Sequence, residues 1–224
     1  MRTQLKHIKI PQPTGLLLTF VLIALITILG PSERTLGSAV RIVYLHGAWV
    51  WTGMILFALA SIAGLIALIL RRRPWFAMTL ALGRSGLFYW LTYLPMSLMV
   101  MQLSWGGFFF EEPRWQVPFA FGVAGLLLQI GVTLINSNRL TALGNLGFGG
   151  LLWWRLSSIG AVLHPSSPLG GPNANRIQIF FAVLLALSLL ASVQITSFLY
   201  RVSFTPRGVS RSEMPDPEEK DASH

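Results

Sequence analysis

The sequence predicts an all-α membrane protein, a polytopic bundle of six transmembrane helices with both termini in the cytoplasm. Composition is the first observation behind this prediction: 53% of the residues are hydrophobic and only 11% are charged, whereas a soluble domain carries about 25% charged residues. Six long apolar segments separated by polar turns are the second observation. The third is that Lys and Arg are distributed unequally between alternate turns, which is typical of proteins that cross a bilayer.

The predicted spans follow from length, because a helix needs about 20 mostly apolar residues to cross the hydrocarbon core. In chain order they are 14–30, 42–70, 76–103, 117–135, 140–163 and 177–200. The first span resembles a signal peptide, but Pro31–Arg34 separates its apolar run from the small residues that follow, so it is interpreted as a helix.

The later spans differ in how regular they are. The second is long enough to tilt, and the third contains Arg84 and Pro95. The fifth is rich in glycine and contains Arg155. The domain interpretation is a six-helix transmembrane domain over 1–200. A disordered cytoplasmic tail follows over 201–224, because that stretch lacks apolar periodicity and is rich in Pro, Ser, Glu and Asp.

The orientation follows from counting Lys and Arg in alternate loops. One side receives eleven: Arg2, Lys6, Lys9, Arg71, Arg72, Arg73, Arg139, Arg201, Arg207, Arg211 and Lys220. The other side receives four: Arg34, Arg41, Arg114 and Arg176. Since the richer side is cytoplasmic, the loops 31–41, 104–116 and 164–176 are predicted to lie outside, across a bacterial inner membrane.

Several function classes find little support. The absence of cysteine excludes disulfides, thiolate metal sites and covalent haem attachment on this chain. The net charge of +9, in a chain this apolar, indicates cytoplasmic loops and contact with anionic membrane lipid, so no nucleic-acid partner is expected. A phosphate-binding glycine loop, a nucleophile elbow and a histidine cluster with metal-ligand spacing are all missing, so no enzymatic activity is predicted.

Two histidines lie where the topology would hold them on the outer side. His46 is about one turn into the second span, and His164 closes the fifth. Haem iron accepts an imidazole on each face, so two histidines from different helices can sandwich it. Arg41 and Arg114 are on the same side, and an Arg fork pairs well with haem propionates. The competing interpretation is that each histidine is an interfacial hydrogen-bonding residue.

Three segments together resemble the membrane haem-handling proteins of cytochrome c maturation, of the CcmC type. Arg41-Ile-Val-Tyr-Leu-His46 resembles that family's first ligand segment, Arg-Ile-x-Tyr-x-His. The loop from Trp105-Gly106 to Glu112-Pro-Arg114 resembles its tryptophan-rich loop. Leu163-His164-Pro165 resembles the second ligand segment. The resemblance covers about residues 14–200.

That resemblance implies a set of roles. His46 and His164 would be the axial ligands of a haem b, and Arg41 and Arg114 would contact its propionates. The residues lining the haem platform would be Trp105, Phe109 and Glu112. The family binds haem at the outer leaflet and presents it to a periplasmic haem chaperone, beside the subunits of an ATP-driven transporter. This chain differs in the loop, where Phe109 stands at a tryptophan position and Glu112 replaces Asp.

Two alternatives share the same residues. One is a cytochrome b subunit of an electron-transfer complex, which would keep its haem permanently and would not need an exposed Trp-Gly loop. The other is a haem-free structural or assembly subunit, which the loss of tryptophan favours. Retention of both histidines and both arginines counts against it.

Overall fold

The computed structural model describes residues 13–34, 36–159 and 174–204. Within these ranges the chain is all-helical, with an isolated β-bridge between Glu33 and Gly37. The six helices are α1 (Pro13–Ile28), α2 (Val40–Leu70), α3 (Arg73–Trp105), α4 (Pro113–Ile135), α5 (Asn138–Ser157) and α6 (Ala174–Phe204). The prediction of an all-α fold with six helices is confirmed for these residues.

The predicted membrane character is supported at three helices. α2, α4 and α6 are long and apolar enough to cross a bilayer. α1 is apolar but has only 16 residues, and α3 and α5 are outside this group because polar residues dilute their apolar character. Length and composition therefore support three spans, and the predicted number of six is not supported by this measure.

The fifth helix ends earlier than predicted. It stops at Ser157, and Ser158 closes its last turn by donating its backbone N–H to the carbonyls of Trp154 and Arg155 at 3.2 Å. The hydroxyls of Ser157 and Ser158 also donate to carbonyls one turn back, and such bonds compete with helix continuation. Arg155 thus lies in the last turn, where a cation is favoured by the helix dipole. His164 lies outside the described residues.

Consecutive helices run antiparallel, and α2 is central. His46 near the start of α2 is level with Tyr93 of α3, and Gly64 near the end of α2 is level with Thr79 of α3. The same reversal relates α2 to α5, because Trp153 Nε1 donates to the Met54 carbonyl at 3.0 Å near one end. At the other end of this pair, a Cβ on Gly64 would lie 2.7 Å from the Ala142 carbonyl oxygen.

This arrangement brings the connections together at two ends of the bundle. We call the "His46 end" the one that holds the amino terminus of α2, residues 29–39 and residues 106–112. The start of α6 is also there, since the rings of Tyr44 and Phe180 are 5.6 Å apart. The turns 71–72 and 136–137 lie at the opposite end. The predicted outer loops 31–41 and 104–116 therefore share one end, and most of loop 164–176 lies outside the described residues.

A buried polar seam joins α2, α3, α4 and α5 on the side away from the His46 end; its residues are Ser61, Thr79, Gln129 and Asn145. Gln129 Nε2 donates to Asn145 Oδ1 at 2.8 Å, and Asn145 Nδ2 donates to the Thr79 carbonyl at 3.1 Å. Thr79 Oγ1 donates to the Ala60 carbonyl, and Ser61 Oγ donates to the Asn145 carbonyl. Because buried polar groups are costly unless they are bonded, these contacts fix the register of the four helices.

Candidate functional site

His46 lies on α2 against a cluster of aromatic rings. The side chain is half-buried, and its ring centroid is 5.2 Å from that of Tyr93 on α3, at an interplanar angle of 47°. Tyr93 in turn contacts Trp90 at 5.2 Å. One turn along α2, Trp49 packs on Tyr89 at 4.9 Å. The imidazole is therefore held at a fixed place on the α3-facing side of α2.

The aromatic cluster is itself anchored by hydrogen bonds between helices. Trp49 Nε1 donates to Thr92 Oγ1 at 2.9 Å, and Trp90 Nε1 donates to the Pro118 carbonyl of α4 at 2.9 Å. Tyr89 Oη donates to the Ser188 carbonyl of α6 at 2.8 Å. Buried indole and phenol groups are commonly satisfied in this way. The surroundings of His46 are thus tied to α3, α4 and α6.

Arg41 links the first two helices. Its Nε donates to the carbonyl of Gly30 at 2.9 Å. A Cβ on Gly30 would lie 2.6 Å from the ring of Phe180, so the connection between α1 and α2 is closely packed against α6. Since a guanidinium carries five donor hydrogens, the bond from Nε leaves the Nη pair of the fork able to meet an anion.

Replacing Arg41 with alanine is expected to lower the free energy of unfolding by about 1 kcal/mol, because a charge-assisted hydrogen bond is lost. The measurement is thermal unfolding of the purified protein in detergent. Arg34→Ala is the matched control, since Arg34 is exposed in the same connection. Equal melting temperatures for the two variants would show that the bond to Gly30 contributes nothing.

The aromatic loop, residues 105–112, presents exposed rings. α3 ends at Gly106, whose φ of +72° closes the helix in the left-handed region that glycine adopts without strain. Trp105 and Phe109 meet edge to face at 5.7 Å, and Phe108 and Phe110 stack at 6.0 Å. Phe108 is 54% exposed, Phe109 42% and Phe110 55%. The loop therefore carries a continuous apolar surface.

Glu112 differs from the rest of the loop because it is buried, with 3% of its surface exposed. Its backbone carbonyl accepts from the N–H groups of Trp115 and Gln116 at the start of α4. The side chain does not cap that helix. Neither carboxylate oxygen has a hydrogen-bond partner in the described part of the chain. A buried carboxylate without a donor is costly. Glu112 is therefore a candidate to accept a hydrogen bond from a ligand or a partner protein.

The candidate residues share one end of the bundle but differ in depth. Trp105 follows Tyr93 by twelve residues on α3, or about 18 Å along the helix. Since Tyr93 is level with His46, the Trp105–Phe109 pair lies well beyond the imidazole. Arg114 is half-buried in the first turn of α4. In the part of the chain that the structure describes, no group of three or more His, Cys, Asp or Glu side chains is arranged to bind a metal ion.

Sequence reasoning missed the partner of His46. The imidazole packs on Tyr93, and Tyr89 and Trp90 precede Tyr93 by four and three residues, a spacing that brings each of them beside Tyr93 on the helix surface. That spacing, in the run Phe-Tyr-Trp-Leu-Thr-Tyr over 88–93, is a signal from which this aromatic cluster was predictable. No comparable pattern in the sequence indicates that Glu112 is buried.

Comparisons with known proteins give this chain no relative from which a function is transferable. No family model, no curated protein and no solved structure matches it.

Proposed function

We propose that this chain binds haem b at the outer face of a bacterial plasma membrane and presents it for cytochrome c maturation. The observation that carries the proposal is the position of His46. Its ring packs on that of Tyr93, at the same end of the bundle as Arg41, Arg114 and the aromatic loop. An imidazole, cationic forks and apolar rings are the groups that haem requires of a protein.

The proposed topology has six spans with both termini in the cytoplasm. α3 and α5 both contact α2 along much of its length. α3 contacts α2 at His46 and α5 contacts it at Met54, and both helices contact it again at Gly64. If α2 crosses the bilayer, these two helices cross beside it, and the polar seam satisfies their side chains internally, as a lipid environment demands. The basic turn Arg71–Arg73 at the opposite end favours a cytoplasmic location for that end.

The residues divide the task of holding haem. When bound, haem supplies an iron centre that accepts two imidazoles. His46 and His164 would be the two ligands. Arg41 offers its Nη pair to a propionate, and Arg114 offers a second fork from α4. Phe109 and Trp105 would cover apolar haem surface farther out, and Glu112, the buried last residue of the same loop, would accept a hydrogen bond from a donor of the ligand or partner.

The proposed partners are the subunits of a haem transporter and a periplasmic haem chaperone, in addition to membrane lipid. The exposed phenylalanines support this, because exposed apolar patches mark surfaces that meet another molecule. A cytochrome b subunit that retains its haem is the alternative. The observation that favours it is the depth of His46, about 18 Å along α3 from the exposed loop.

Haem transfer distinguishes these two functions. The haem-loaded protein would be mixed with a soluble apo-acceptor such as apo-myoglobin, and the acceptor would be separated and its absorbance measured. Delivery predicts that the haem moves to the acceptor within minutes, and that Phe109→Ser together with Trp105→Ser alters the rate. Retention of the haem over hours would favour the electron-transfer alternative. A protein that takes up no haem would overturn both.

A further inference from the structure

A second feature of the bundle lies away from the His46 end. An open groove of about 440 Å³ runs between α4 and α5 near the turn that joins them. α4 contributes Leu128, Gly131 and Ile135 to its walls, and α5 contributes Leu140, Leu143 and Gly144. All of these side chains are apolar, and a volume of this size is in the range of small-molecule sites.

Glycine keeps this groove open. A Cβ placed on Gly131 would meet nothing within 4 Å, whereas a Cβ on Gly144 would lie 2.7 Å from Leu128. Gly131 therefore forms a vacant side of the groove, and Gly144 lets the two helices approach at its base. Ile135 and Leu143 are more than half exposed. Since α4 is apolar enough to cross a bilayer, the groove faces lipid.

The rim of the groove is polar and basic. The turn that joins its two walls reads Asn136-Ser137-Asn138-Arg139. Ser137 caps α5 by accepting from the Leu140 N–H, so the turn is fixed beside the groove. Arg139 is exposed, and the turn with Arg71 and Arg72 lies at the same end of the bundle. An apolar slot with a cationic rim matches an amphipathic anion.

We infer that this groove binds one acyl chain of an anionic phospholipid, with the lipid phosphate at Arg139. Basic pockets between transmembrane helices on the cytoplasmic side are suited to anionic headgroups. The apolar walls of the groove favour an acyl chain, and Arg139 favours a headgroup with a net negative charge. This site is independent of the proposed haem function, because it lies at the other end of α4 from Arg114.

Native mass spectrometry of the full chain tests the inference, with phosphatidylglycerol and phosphatidylcholine of identical acyl chains as probes. We expect one phosphatidylglycerol to remain bound at activation energies that remove all phosphatidylcholine. Gly131→Phe should fill the groove and reduce that binding at least tenfold. Gly147→Phe is the matched control, because a Cβ on Gly147 also meets nothing within 4 Å and Gly147 does not line the groove.

Arg139→Gln tests the headgroup without changing the core of the bundle. It should lower phosphatidylglycerol binding about fivefold, the equivalent of about 1 kcal/mol for one basic residue at a membrane surface. It should lower phosphatidylcholine binding less, because the choline cation offsets the attraction between that lipid's phosphate and Arg139. Equal binding of the two lipids by the native chain would overturn the site, as would equal losses in Gly131→Phe and Gly147→Phe. Loss of a co-purified protein subunit from Gly131→Phe alone, with lipid binding intact, would assign the groove to a partner helix instead.

Discussion

Replacing His46 with alanine is expected to remove most of the haem from the protein and to change the spectrum of what remains. The reason is that His46 is the proposed haem ligand, with its imidazole packed on the ring of Tyr93, whereas alanine offers no group that binds iron. Loss of one ligand should convert a low-spin, six-coordinate spectrum into a high-spin, five-coordinate one. The measurement is the haem-to-protein ratio and the optical spectrum after loading.

His164→Ala is expected to give the same loss, and the pair tests whether two ligands act together. His7→Ala is the matched control, because His7 lies in the amino-terminal polar segment and has no proposed role. Unchanged spectra in both His46→Ala and His164→Ala would contradict the ligand assignment. A loss of haem in His46→Ala alone would keep His46 as one ligand and would require a residue other than His164 as the second.

Replacing Gly149 with valine is expected to produce the largest loss of stability in the bundle. A Cβ at this position would overlap Ser61 Oγ and would lie 2.5 Å from the backbone carbonyl oxygen of Phe57. α2 and α5 would have to separate, because backbone cannot move aside as a flexible side chain does. Overpacking typically costs about 1–3 kcal/mol and occasionally more, and we expect at least 3 kcal/mol here.

Gly150→Val is an unusually close control for that substitution. It is the adjacent residue on the same helix, and a Cβ there would meet nothing within 4 Å. Both variants carry the same cost in helix propensity, so the difference between them reports the contact with α2. The measurement is thermal unfolding in detergent. Similar melting temperatures for the two variants would contradict the close packing of α2 on α5.

Local sequence signals were sufficient for the carboxyl-terminal ends of two helices. α4 and α2 end at Ile135 and Leu70 as predicted, because polar or basic residues directly follow each apolar run. α5 ends at Ser157, before the predicted end at 163, because the hydroxyls of Ser157 and Ser158 bond to carbonyls one turn back and disfavour continuation of the helix. The hydrophobicity of a segment does not show that serine hydroxyls compete for the backbone carbonyls at the end of a helix.

The candidate site was only partly predictable. The position of His46 near the amino terminus of α2 was predictable, because apolar runs indicate which end of a span a residue occupies. Two properties were not accessible from the sequence. The offset of about 18 Å between Trp105 and the level of His46 depends on how far α3 extends past Tyr93. The burial of Glu112 depends on how the loop folds back onto α4, which is a tertiary contact.

The most direct test of the proposed function is an optical spectrum of the purified protein, oxidised and then reduced with dithionite, followed by a pyridine haemochrome assay. The account predicts a b-type spectrum with about one haem per chain, because two imidazoles and no cysteine are provided. A colourless protein that also fails to bind added haem would contradict it. In that case the chain would function as a membrane assembly subunit without a cofactor.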